Sequence, residues 1–64
     1  MGASHGIVKP KSKDVEHIDV DQVTGGVALI CWRPDQTGVS IRLDPDEAEQ
    51  LIWALKSATT AARL

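Results

Sequence analysis

The run Val27-Ala28-Leu29-Ile30-Cys31-Trp32 constrains this chain most, because six consecutive apolar, largely β-favoured residues read as a strand that is apolar on both faces. Such a strand must be covered twice. At 64 residues and 42% hydrophobic the chain makes one small domain, and a domain of about 60 residues buries only about 60% of its unfolded surface. Domains this small lean on disulfides, metals or self-association. Cys31 is the only cysteine, so it has no internal disulfide partner, and no Cys or His pair has structural zinc spacing. Self-association is the remaining route. The run is far shorter than the roughly 18 residues needed to cross a bilayer, and no signal-peptide core opens the chain. These features predict a cytoplasmic protein without membrane association.

Downstream, Asp44-Pro45-Asp46-Glu47 supplies an N-cap residue, a proline at the first helical position and a glutamate that closes a capping box. A helix is predicted from there to about Ala62. Ala48, Leu51, Ile52, Leu55, Ala58, Thr59 and Ala62 recur at three- and four-residue spacing and form one apolar stripe to set against a sheet. The acids at its start and Lys56 and Arg63 further along fit the helix dipole, so these charges need no functional explanation.

Val39-Ser40-Ile41-Arg42-Leu43 alternates as a half-buried strand does, and the Arg33–Gly38 segment, with Pro34, Asp35 and Gly38, has the composition of a turn. A β-hairpin follows. Glu16–Val20 alternates more weakly and Gly25-Gly26 punctuates the approach to the hairpin, so a third strand is assigned there. The expected fold is α+β, a small antiparallel sheet in β-β-β-α order packed by one C-terminal amphipathic helix, dimeric, with its domain spanning residues 14–64. Hairpin register decides the faces. If Trp32 opposes Val39, then Val27, Leu29 and Cys31 join Ser40 and Arg42; a shift of one residue puts Ala28, Ile30 and Trp32 there instead. Either way three apolar residues face away from the helix, and a second subunit or another protein must cover them.

Charge divides the chain. The first thirteen residues carry Lys9, Lys11 and Lys13 and no acid, a charge of +3, whereas Asp14 onward holds nine acids against four bases, a net of −5. Residues 1–13, with Gly2, Gly6 and Pro10 and no hydrophobic periodicity, read as a flexible basic arm. The acidic body would repel phosphate, and three lysines neutralise few phosphates, so Lys9, Lys11 and Lys13 are at most a phosphate-contacting arm.

Residues with chemical potential have plain structural readings. His17, Asp19 and Asp21 share one side of a strand, but the glycine and distal glutamate of a calcium loop are missing. Cys31, in an apolar strand with no adjacent cation closer than Arg33, reads as an unreactive thiol. No serine sits in a nucleophile elbow, and Thr24-Gly25-Gly26 lacks the Lys-Ser/Thr of a phosphate loop. No catalytic residue, metal or cofactor is assigned, and the chain is not expected to be an enzyme.

Trp53 is different. At about 100° per residue it falls opposite the Leu51-Ile52-Leu55 stripe, among Glu49, Gln50, Lys56, Ser57 and Thr60. Tryptophan on a polar helix face points to an interface hot spot, unless the N-terminal segment or the Lys56 stem folds over it. Trp53, Trp32, Arg42, Glu49 and Lys56 are the candidate partner-binding residues, with Trp32 belonging either to the core or to the same surface.

The stretch Val39 to Ala58, with Val-Ser-Ile-Arg-Leu-Asp-Pro-Asp-Glu-Ala leading into Leu51 and Leu55, resembles the strand-to-helix joint of small uncharacterised actinobacterial and actinophage proteins. The resemblance covers about a third of the chain and implies an origin, not an activity. Ribbon-helix-helix repressors are not matched, since they need a second helix and a basic reading strand. The expected function is a small homodimeric protein-protein interaction module, phage-encoded or regulatory, that binds itself and a further protein. The alternative is a nucleic-acid-associated transcriptional regulator using the lysine arm.

Overall fold

The computed structural model describes residues 3–64 and contains four strands and one helix: β1 (Ala3–Val8), β2 (His17–Val23), β3 (Gly26–Trp32), β4 (Gly38–Leu43) and α1 (Pro45–Ala62). The strands form one antiparallel sheet in the order β1-β2-β3-β4, so each strand pairs with its neighbour in sequence. The α+β class and the C-terminal helix agree with the sequence reading. The number of strands does not.

Residues 3–8 of the expected flexible arm form β1, an edge strand paired with β2. Met1 and Gly2 lie outside the described residues. The strand escapes a periodicity test because its register shifts between Ser4 and Gly6, which breaks the two-residue alternation that marks a strand in sequence. Side-chain contacts reinforce the pairing: the Ser4 hydroxyl donates to Asp19 Oδ1 at 3.1 Å, and the His5 ring lies 3.0 Å from Gln22 Oε1. A domain boundary at residue 13 therefore does not mark where the sheet begins. Only the link from Lys9 to Glu16, which carries the three lysines, runs between strands.

Turn chemistry sets the two hairpins. β2 and β3 are joined by Thr24-Gly25, where Gly25 has φ 74°, a left-handed conformation that glycine adopts without steric cost. Between β3 and β4, the Arg33 N–H donates to the Thr37 carbonyl at 2.8 Å and the Gln36 N–H to the Arg33 carbonyl at 2.9 Å. Asp35 Oδ1 holds the same loop by accepting from the Thr37 N–H at 2.9 Å and its hydroxyl at 2.6 Å. With five residues in the loop, Trp32 opposes Gly38, Ile30 opposes Ser40 and Ala28 opposes Arg42. Of the two registers open to the sequence, this is the one that puts Ala28, Ile30 and Trp32 on the Arg42 face.

Each side of the sheet then has its own composition. Paired residues share a face, so Val27, Leu29 and Cys31 lie with Leu43, Ile41 and Val39, and on β2 with Ile18 and Val20. The other face carries Ala28, Ile30 and Trp32 with Ser40, Arg42, His17, Asp19 and Asp21. The chain leaves β4 across this second face, where a Cβ on Gly26 would run into the Leu43 carbonyl and reach Asp44 Cα at 3.7 Å. Helix α1 accordingly packs on β3 and β4 over Ala28, the one buried apolar residue among those described.

The helix begins as its sequence dictates. Asp44, at φ −73° and ψ 169°, accepts the Glu47 N–H at 2.8 Å, and Glu47 Oε1 accepts the Asp44 N–H at 3.0 Å, so both halves of the capping box are made with Pro45 at the first helical position. Its packing is another matter. Ala48 and Leu51 are half-buried against the sheet, and every residue from Ile52 to Leu64 is exposed.

Candidate functional site

The candidate site is surface that the chain leaves uncovered. A compact monomer of this mass exposes about 4,000 Å², whereas this one exposes 5288 Å². Its radius of gyration is 12.8 Å against about 10.7 Å for a globule of this length. Among the surface left in water are large apolar side chains on the open sheet face and on the distal half of α1.

On the sheet, Ile41 is 54% exposed, with Val39 and Val8 similarly bare, while Ile18, Val20, Leu29 and Cys31 are half-buried only by their strand neighbours. The part of this face formed by β2, β3 and β4 carries no charged side chain. On the helix, Leu55 is 57% exposed and Ile52 49%. These two follow Ala48 and Leu51 on the same stripe, so the helix has run past the sheet that its first turns touch. The stripe expected to lie against a sheet does so over two turns and then has no cover in its own chain.

Trp53 stands on the opposite side of α1 and is 69% exposed. The Lys56 ammonium sits 5.1 Å from the ring centroid, a cation–π contact that covers one part of the ring and leaves the rest in solvent. Glu49, four residues before Trp53 on the same helix, is exposed beside it. Trp53, Lys56 and Glu49 are therefore brought together as one outward patch. Trp32 and Arg42 are not part of it.

Trp32 lies in the sheet, half-buried, with its ring over Gly38 of β4 and its centroid 6.2 Å from the His17 ring. A Cβ at position 38 would meet the indole at 3.1 Å, so the glycine makes room for the ring. Arg42 donates to the Thr24 carbonyl and ties the end of β4 to the β2–β3 turn. Lys9, Lys11 and Lys13 are exposed on the β1–β2 connection, while the two arginines of the sheet region are engaged with their own turns, Arg33 donating to the Thr37 hydroxyl at 3.2 Å and Arg42 to the Thr24 carbonyl.

His17, Asp19 and Asp21 do share a face of β2, but Asp19 is taken by Ser4 and His17 faces Trp32. Among the described residues no three His, Cys, Asp or Glu side chains are grouped to hold a metal ion. One carboxylate has a shifted affinity for protons. Hydrogen bonds from the Thr37 hydroxyl and N–H, helped by the Arg33 charge, hold the Asp35 pKa below its ordinary value. Among the described residues no helix is long and apolar enough to cross a membrane. Comparison with family models, curated proteins and solved structures gave no match.

Proposed function

We propose that this protein is a small homodimeric interaction module, acting in the cytoplasm by binding rather than by catalysis, in which self-association completes the fold and Trp53 meets a further protein. The observation that carries the reading is the 5288 Å² of exposed surface, with Ala28 the one buried apolar residue among those described. Bringing each chain down to the surface of a compact monomer requires it to lose about 1,300 Å². Two chains would bury about 2,600 Å² together, within the range of about 2,000 to 5,000 Å² seen in obligate dimers. The free thiol of Cys31 fits a reducing compartment.

Trp53, Glu49 and Lys56 support the second half of the reading. Tryptophan provides a large, rigid contact area, and the charges beside it give the rim that orients a partner. Unfolding in urea followed by circular dichroism at low and high protein concentration tests the first half, since dimerisation moves the midpoint upward with concentration. A midpoint independent of concentration contradicts it. Nucleic acid is the less favoured partner, because Lys9, Lys11 and Lys13 can neutralise few phosphates and the chain from Asp14 onward is acidic.

A further inference from the structure

We infer, on the basis of the homodimer just proposed, that the open sheet face of each chain is covered by the distal half of α1 from the second copy. The two uncovered surfaces are complementary in kind. The helix stripe beyond Leu51 presents Ile52, Leu55, Thr59 and Ala62, with Lys56 and Arg63 along its margin, and the sheet presents Ile18, Val20, Leu29, Cys31, Val39 and Ile41 with no charged group among them.

Area separates this arrangement from the simpler one in which two sheets meet face to face. Four strands about 4.8 Å apart and six residues long at about 3.3 Å each give a face of about 400 Å². Doubling that for side-chain relief still falls short of the roughly 1,300 Å² that each chain has to lose. Sheet-on-sheet packing also leaves both helices bare on the outside, because the open face and α1 lie on opposite sides of the sheet. Exchange of helices buries both surfaces at once.

The exchange closes. Leu55 and Thr59 lie nearly in line with Ala48 around the helix, so the distal stripe still looks towards the plane of the sheet after α1 has passed its edge. A second chain turned over about an axis in that plane brings its open face to this stripe. The same rotation lays its own helix on the first chain's open face, giving one layer of two sheets between two helices, a closed isologous dimer. Trp53 remains outside, consistent with its separate role.

Cys31, the single thiol, sits in the open face and reports the contact. Leu55→Cys and Thr59→Cys are each made with Cys31 retained, and Ser57→Cys, on the outer side of the helix, is the control. All are checked for folding by circular dichroism and oxidised with copper–phenanthroline. The expected result is a disulfide-linked species of twice the 6.9 kDa chain mass for Leu55→Cys or Thr59→Cys, mapped by peptide mass to Cys31 joined to the new cysteine, and no such link for Ser57→Cys. Within one chain the sheet separates these positions, so the link reports two copies. Either stripe variant suffices if the other does not fold. Sedimentation equilibrium on the unoxidised proteins distinguishes the failures. A dimer whose links join only like positions, or that forms none, overturns the helix exchange and leaves the dimer standing. A folded monomer throughout overturns both.

Discussion

Strand β3 and helix α1 both present apolar side chains that need cover, and they fare differently in the chain. β3 is flanked by β2 and β4 and crossed by the start of α1, so each of its residues is at least half-buried. α1 has the better local chemistry, with both halves of its capping box made, yet keeps only Ala48 and Leu51 half-buried. Local signals thus specify that an element forms, whereas its cover depends on what else the chain, or another chain, supplies.

The largest way to break this contrast is a charge on the open face. Ile41→Asp should weaken self-association by about 3 kcal/mol, roughly a hundredfold, because the carboxylate would be buried without a partner. Ser40→Asp, one residue away on the other face, should cost much less. Sedimentation equilibrium on the two variants reads the difference directly. Next, Leu55→Ala should cost about 2 kcal/mol, as truncation of a buried leucine does, with the loss seen as dissociation. Comparing urea midpoints across protein concentrations separates that outcome from a loss within the monomer, where Leu55 is 57% exposed.

Asp44→Ala removes the cap and should cost about 1 kcal/mol, with Asp46→Ala costing less because Asp46 favours the dipole without closing the cap. Equal losses in urea titration would mean the helix start is held otherwise. Trp53→Ala should change dimer stability by no more than about 0.5 kcal/mol, as exposed substitutions do, in contrast to Leu55→Ala two residues away. Isothermal denaturation of both variants makes that comparison. The smallest effect concerns the β3–β4 loop. Since the Asp35 pKa is lowered by Thr37, its contribution is complete above the unfolded carboxylate value and is lost as pH falls through the folded one. A carbon-detected NMR titration should find the Asp35 pKa raised in Thr37→Val. Full solvent screening at this exposed site keeps the stability change small.

The parts of the fold legible in the sequence were those with short-range chemistry. Asp44-Pro45-Asp46-Glu47 announced the helix, the alternation in Val39–Leu43 announced β4, and Pro34, Asp35 and Gly38 marked the turn between β3 and β4. β1 was hidden because the irregularity between Ser4 and Gly6 breaks its alternation and because an edge strand needs few buried residues to pair. Hairpin register was undecided for a related reason: alternation gives faces within one strand, and only the number of loop residues relates the faces of two. For the candidate site, the outward position of Trp53 followed from helical angle alone. The expectation that Leu55 is covered by its own sheet did not hold, since periodicity gives the direction of a stripe and says nothing of how far the sheet beneath it extends. Nor did spacing reveal that Arg42 is occupied by the Thr24 carbonyl or that Trp32 rests on Gly38, both consequences of pairing between distant segments.

If one chain leaves this apolar surface uncovered and a second copy covers it, the folded state and the dimer are one species. Sedimentation equilibrium of the intact protein at micromolar concentration, under conditions where circular dichroism reports the folded state, tests it most directly. The expected result is a folded species of twice the 6.9 kDa chain mass that dissociates and unfolds together on dilution. A folded, compact monomer at 6.9 kDa would contradict it.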